Sequence, residues 1–399
     1  MTLGVRRTAF LSVVTTAICF FAVVLAFGQA APQRPAQPPP AQSQASEQKA
    51  EDVFKNIQVL KGISVKELMD TMGFFAASTG LNCADCHVSE EDWDAYAKDD
   101  RELKKIARTM VLMTNGINRS YFAGKRELTC WSCHRGGDKP TVTPDLTVQY
   151  SSAPPPEPDV VTEAAPRQPS ADEILDKYIQ AIGGAQQVAS LTSFTAKGTY
   201  VGFDTAMMKV PVDIYAKAPN QRTMIVHMSE GDSTRTYDGQ HAWFTLPGYP
   251  VPVLEFTGGD LSGARAEALL TFPARIKQDF TQWIVGFPVT INDSDTLVVQ
   301  GRLAPGGFPV KLYFDSKTGL LVRSVRFVNS IVGSNPTQID YEDYRAVNGV
   351  KVPFKSTVTW TDGRSVIELS SIQPNVPVDA AKFGKPSPPS KPNQAAAKR

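Results

Sequence analysis

Residues 81–90 read "LNCADCHVSE" and residues 128–137 read "LTCWSCHRGG". Both contain Cys-x-x-Cys-His, first as Cys83, Cys86 and His87, then as Cys130, Cys133 and His134. The chain has five cysteines; the fifth, Cys19, lies in an N-terminal apolar run, so all the others fall in these two motifs. Three chemistries use two such pairs: two disulfides in an exported protein, a zinc site, or covalent attachment of two haems. The histidines favour the last. There are only four in the chain, and two of them directly follow the second cysteine of a pair. That is the order in which two thioether bonds fix a porphyrin edge while the adjacent imidazole reaches the iron. The expectation is two covalently bound haem c groups, on Cys83 with Cys86 and on Cys130 with Cys133, with His87 and His134 as axial ligands.

A sixth iron ligand is commonly methionine in electron carriers. Upstream of the first motif, "GISVKELMDTMGFFAASTG" opens on a capping box of Ser64 with Glu67. Leu68, Met69, Met72, Phe75 and Ala76 then recur at helical spacing, and Gly80 ends the run. Upstream of the second motif, Leu103, Ile106, Ala107, Met110, Met113 and Ile117 form one apolar stripe opposite Lys and Arg. The order helix, turn, motif therefore occurs twice, as an internal repeat. Met72 and Met110 are the expected axial ligands, with Met69 and Met113 as packing neighbours or alternatives, because methionine also fills irregular cores.

These residues carry a family resemblance. "LMDTMGFF…GLNCADCH" followed by "ARTMVLMTNGIN…ELTCWSCHRGGDKP" resembles the cytochrome c subunit of photosynthetic reaction centres, and more closely its two-haem relatives. The resemblance covers roughly residues 53–144. It implies a methionine-bearing helix ahead of each attachment motif, with Ala107, Arg108 and Met110 matching the family's Ala-Arg-x-Met signature. The four-haem subunits carry two further motifs that this sequence lacks.

The remaining chain sets the organisation. At 399 residues and 42% hydrophobic content it is long enough for two or three domains. A basic start at Arg6 and Arg7, an apolar run from Ala9 to Phe27 and small residues at Gly28, Ala30 and Ala31 read as a secretory signal, with an uncleaved anchor as the alternative. Removal of residues 1–31 leaves 39 basic against 40 acidic residues, a balance that excludes an electrostatic nucleic-acid binder. Residues 32–50 and 146–169 are rich in Pro, Gln and Ala and read as linkers, the second largely extended. Residues 51–145 form the expected dihaem domain, 170–386 a second domain, and 387–399 a disordered tail.

The second domain opens on a capping box of Ser170 with Glu173 and a helix closed by Gly183 and Gly184. Alternating strands follow, with turns expected at Asp238-Gly239, Asn348-Gly349 and Asp362-Gly363, and a helical break near 263–283. Phrases such as "ILDKYIQAIGG" and "YRAVNGVKVPF" resemble the curved half-barrel of periplasmic lipoprotein carriers. The expected fold class is multidomain: a small α-helical dihaem cytochrome c domain plus a mainly antiparallel β domain, a curved half-barrel with helices.

The expected function is that of a periplasmic dihaem electron carrier, not an enzyme. Its expected partners are redox proteins, above all a membrane-bound electron-transfer complex, with a lipid or lipoprotein as a further candidate at the β domain. The alternatives are a dihaem peroxidase, which needs one open iron, and a lipid-binding envelope protein whose haems act as a redox module. His227 and His241, like Trp243, Trp283 and Trp360, read as packing or surface residues.

Overall fold

The computed structural model describes residues 48–88, 93–144, 146, 157–304 and 307–389. The expected signal or anchor (1–31), nearly all of the first linker, residues 147–156 of the second and residues 390–399 of the tail lie outside the described residues. No helix among the described residues is long and apolar enough to cross a membrane.

The N-terminal part is built from short α1 (Ala50–Val53), α2 (Val65–Thr79), α3 (Cys83–Cys86), α4 (Glu102–Tyr121) and α5 (Cys130–His134). Helix α2 begins where expected: the Ser64 hydroxyl accepts from Glu67 N at 3.1 Å, which satisfies one of the amides left unpaired at a helix start. It ends at Gly80, whose φ of 70° and ψ of 10° place it in the left-handed region. Glycine is required there for a second reason: a Cβ at Gly80 would collide with the Gly136 carbonyl just beyond α5.

The C-terminal part starts with α6 (Ala171–Ala181), where Ser170 and Glu173 make both bonds of the expected capping box, and α7 (Ala185–Ser190). Strands β1 (Ser193–Gly202), β2 (Val210–Lys217), β3 (Gln221–Met228), β4 (Gly231–Tyr237), β5 (Ala242–Thr245) and β6 (Leu254–Phe256) follow. Helix α8 (Gly258–Thr271) and the single turn α9 (Ile276–Asp279) interrupt the strands. The chain then resumes with β7 (Phe280–Val285), β8 (Val289–Ile291), β9 (Ser294–Leu303), β10 (Pro309–Asp315), β11 (Leu321–Asn329), β12 (Ser334–Val347), β13 (Val350–Trp360) and β14 (Gly363–Pro374).

All pairings are antiparallel, and one sheet runs β6-β5-β4-β3-β2-β1-β14-β13-β12-β11-β10-β9-β7, with β8 attached to β9. Two arms of consecutive hairpins are thus joined where β1 pairs with β14. Residues of β3 and β4 line the same cavity as residues of β11 and β12, although these pairs stand far apart in the sheet order. The sheet is therefore strongly curved, with α8 in its concave side. The main core fills that side: Ile174, Leu175 and Tyr178 of α6 pack with Val212, Ile214, Leu312, Phe314 and Leu269. On the opposite face, Val298, Tyr313 and Val325 form a smaller cluster, as the period of two along a strand requires.

Three details differ from the sequence reading. Asn348 and Gly349 both have positive φ (47° and 79°) between paired Val347 and Val350, the two-residue turn expected there. At the next hairpin, however, Trp360 pairs with Gly363, so the loop is Thr361-Asp362 and Gly363 already opens β14. The helical break begins at Gly258, before the expected start, and Trp283 lies on β7. In the segment read as a linker, Glu157 to Ala165 lies against the sheet. Glu157 accepts from Lys311 Nζ (2.7 Å) and Tyr313 OH (2.6 Å), and Gln300 bonds both the amide and the carbonyl of buried Val161 (2.8 and 3.0 Å). Proline excluded helix and central strand from this stretch, but it left tertiary packing open.

Candidate haem site

Each attachment motif is a single helical turn that starts on its first cysteine. In α3, Asn82 and Asp85 cap each other: the Asn82 side chain accepts from Asp85 N (3.2 Å), and Asp85 Oδ2 accepts from Asn82 N (2.8 Å). Ahead of α5, the Ser132 hydroxyl accepts from Thr129 N at 3.0 Å. Local capping thus turns a four-residue spacing into a helical turn that carries both cysteines on a short arc. Among the described residues, Cys83, Cys86, Cys130 and Cys133 form no disulfide. Burial pushes the Cys86 thiol up, assisted by Asp85 and Cys83, and burial does the same to Cys130.

The two histidines are held alike. His87 Nδ1 lies 3.1 Å from the Tyr96 carbonyl, and His134 Nδ1 lies 3.0 Å from the Gly137 carbonyl. A carbonyl only accepts, so each Nδ1 carries the proton and each Nε2 keeps its lone pair. This is the arrangement in which a metal-binding imidazole has its tautomer and ring direction fixed by the other nitrogen. Burial lowers the His87 pKa, and Lys104 and Arg108 add to the effect, so the ring is neutral at neutral pH.

Two clips that the sequence reading missed hold the segments beside the two motifs. Asp99 accepts from Arg108 (2.9 Å), Lys104 (3.2 Å) and the Asn56 amide (3.0 Å), and Lys104 Nζ also donates to the Tyr96 carbonyl at 2.7 Å. The Arg108 hydrogen bond is the largest influence on Asp99 and holds its carboxyl far below the usual range. The Asn118 amide, buried on α4, donates to the Leu128 carbonyl (2.7 Å) and accepts from Glu127 N (3.2 Å) and Leu128 N (3.0 Å), pinning the approach to the second motif. The Asn56 partner of Asp99 lies 43 residues away and the partners of Asn118 lie 9 and 10 residues away, outside helical or turn spacing, so neither clip shows in a local pattern.

The methionines separate. Met72 is half-buried and, like Cys130, packs against the cluster of Leu60, Ile63, Leu68, Phe74 and Val111. Met69, one turn earlier on α2, lines the cavity of the β-rich part instead. Met110 is half-buried on α4, and Met113 is 47% exposed. The stripe read as the buried face of α4 is largely at the surface: Leu103 and Ile106 are exposed, while α4 buries Val111 and Asn118 against the protein. The donor set and this uncovered apolar face suit a large planar apolar group held by thioethers and imidazole nitrogen.

A row of rings starts at the first motif. The His87 ring lies 4.7 Å from Tyr96, Tyr96 lies 5.3 Å from Trp93, and Trp93 lies 6.1 Å from Tyr249, which lines the cavity.

Residues 21–160 match the family model of the photosynthetic reaction centre cytochrome C subunit. The chain resembles that family over this segment. It is 36% identical over 98 residues to the photosynthetic reaction center cytochrome c subunit of Thermochromatium tepidum, a match that covers 23% of each protein. Against the subunit of Roseobacter denitrificans it is 29% identical over 106 residues, 25% of this chain and 28% of that one. The chain thus spans about a quarter of the length of the curated relatives it matches.

A LolA superfamily protein from Nitrosomonas europaea aligns over 55% of this chain and 99% of its own, with 16% identity and a TM-score of 0.38. A putative outer membrane lipoprotein-sorting protein domain from Vibrio parahaemolyticus aligns over 57% and 97%, with 10% identity and a TM-score of 0.36.

Proposed function

We propose that this protein is an exported dihaem c-type cytochrome that passes electrons to or from a membrane redox complex. Residues 51–145 form its haem domain. Cys83 and Cys86 hold one haem c and Cys130 and Cys133 the other. His87 and His134 supply the proximal nitrogens, and Met72 and Met110 the distal sulfurs. The observation that carries this reading is the pair of Nδ1 bonds to the Tyr96 and Gly137 carbonyls, which leave two outward lone pairs, one directly after each cysteine pair.

Bound haem supplies a one-electron iron couple. The chain sets its working conditions. A neutral imidazole from His87 or His134 and a neutral thioether from Met72 or Met110 would favour the ferrous state relative to two histidines. If His87, His134, Met72 and Met110 hold the two haems as proposed, no ligand position would be left for peroxide, and the chemistry the groups would supply is electron transfer. The β-rich part, residues 170–386, serves in this reading as the docking or spacing module.

The test is a haem count and an oxidised and reduced absorption spectrum of the protein made alongside haem-attachment machinery, for the parent and for Met72→Ala and Met110→Ala. Two haems per chain, with each substitution removing part of the weak long-wavelength methionine-to-iron band, support the reading. A high-spin iron that turns over peroxide in the parent protein would replace it with the peroxidase.

A further inference from the structure

The two attachment motifs stand in stretches of opposite charge. Residues 82–102, around the first, hold eight acids against two bases, and residues 119–139, around the second, hold five bases against two acids. Ion pairing sharpens the contrast. Beside the first motif, four bases are already neutralised: Lys55 pairs with Asp94, Lys104 and Arg108 with Asp99, and Lys105 with Glu102. Among the described residues, Arg119, Lys125, Arg135 and Lys139 pair with no carboxylate. All four are exposed. Arg126 is exposed as well and gives one donor to the Gly333 carbonyl at 3.3 Å.

The local fold gathers these bases around the second cysteine pair. Asn118 holds Glu127 and Leu128, so the loop that carries Lys125 and Arg126 runs straight into α5. Arg135 closes α5 next to His134, and its amide donates to the Trp131 carbonyl at 3.2 Å. Its φ of 52° lies in the left-handed region, where glycine or asparagine fits with less strain. No contact offsets that strain: among the described residues its guanidinium makes no hydrogen bond and no ion pair. Trp131, between the two cysteines, is 51% exposed with its ring over Gly136, and Tyr121 at the end of α4 is 80% exposed. Open Trp, Tyr and Arg side chains are the ones that protein interfaces favour.

We infer that this surface docks an acidic redox protein beside the second haem. The inference rests on the proposed dihaem reading and adds the partner's charge and its place. Opposite charge draws the partner to the turn that carries Cys130 and Cys133, and Trp131 and Tyr121 supply apolar contact. The acidic stretch around Cys83 and Cys86 repels the same partner, which keeps it from the first motif. The chain as a whole is close to neutral, with 41 basic against 40 acidic residues, so attraction for an anion comes from this surface and not from the net charge.

The test uses the full haem-loaded protein, once a haem count has shown two haems per chain. Two one-electron oxidants of opposite charge serve as probes, the anion ferricyanide and the cation tris(phenanthroline)cobalt(III). Each takes one electron from a ferrous haem, which becomes ferric as the probe's metal goes from the trivalent to the divalent state. Stopped-flow oxidation by ferricyanide is expected to slow about threefold or more between about 20 mM and about 200 mM salt, and about fivefold at low salt in Arg135→Glu. The cobalt complex should react faster with the same variant. Lys125→Glu combined with Lys139→Glu should repeat the pattern, and serves if Arg135→Glu does not fold. Hexacyanochromate(III), a redox-inert paramagnetic anion, gives a binding readout without electron transfer: it should broaden the amide signals of residues 119–139 before those of 94–102. Flotation with phosphatidylglycerol vesicles separates a protein partner from an anionic membrane, and no binding is expected. A flat salt dependence, rates indifferent to the variants, broadening spread evenly over both motifs, or capture by the vesicles would overturn the inference while the haem count stands. A chain without haem would instead fail the dihaem reading, and this inference with it.

Discussion

His87 and His134 each give their Nδ1 proton to a backbone carbonyl, and the residues that hold the segments beside the two motifs are the ones to test. Asn118 makes three bonds to the segment before the second motif. Asn118→Ala leaves the Leu128 carbonyl and two amides without that partner, and should cost about 2–3 kcal/mol in thermal unfolding while lowering haem incorporation at Cys130 and Cys133 more than at Cys83 and Cys86. Asp99 acts at the first motif, and its effect has a definite sign with pH. Its folded pKa lies below the ordinary 3.8, so it stabilises the fold above that value and loses its effect as the pH falls toward the folded pKa. Asp99→Asn should therefore lower stability at neutral pH by about 1 kcal/mol and flatten the decline between about pH 5 and pH 2; an unchanged acid limb in a pH series of melting curves would show that the clip does not matter.

Among the elements, α2 joins the haem-motif helices to the β-rich part. Gly73 lies where a Cβ would stand 2.8 Å from Asp362 and Thr361 of the β13–β14 turn, and Phe74 packs where Gly333 leaves no room for a side chain. Val65 of the same helix is fully buried with Tyr237, Leu254 and Phe256 of the β-rich part. Gly333→Val forces the Phe74 ring out of this seat and should lower stability by about 1–3 kcal/mol; a melting temperature equal to the parent's would mean that α2 does not dock there.

The elements also show which parts of the fold the sequence made legible. Ser64 with Glu67, Ser170 with Glu173, Gly80 and Asn348-Gly349 were all readable because each acts within a few residues. The Asp362-Gly363 turn was misplaced by one residue, since Thr361-Asp362 fits the two-residue loop and Gly363 is free to open a strand. The stripe on α4 was found by its period, but periodicity cannot say what covers an apolar face, and the protein leaves Leu103, Ile106 and Met113 exposed. Asp99 and Asn118 were invisible because partners such as Asn56 for Asp99 and Leu128 for Asn118 lie outside any helical or turn spacing.

For the whole molecule, one helix serves two interiors. Met72 of α2 packs with the haem-motif cluster, while Met69, less than one turn away, lines the β cavity. The ring row from His87 through Tyr96 and Trp93 to Tyr249 joins the same two places. The cysteine and histidine motifs beside the first interior stand out in the sequence. The second could not be read, because the strands that line it come together only through the curvature of the sheet. The role of the first interior depends on whether the two motifs carry haem at all. The deciding measurement is a pyridine haemochrome assay of the purified chain with oxidised and reduced spectra. Two covalent haems per chain, both low-spin and with the methionine-to-iron band in the oxidised protein, are expected. No covalent haem would return the four cysteines to disulfides or zinc and contradict the reading at its centre.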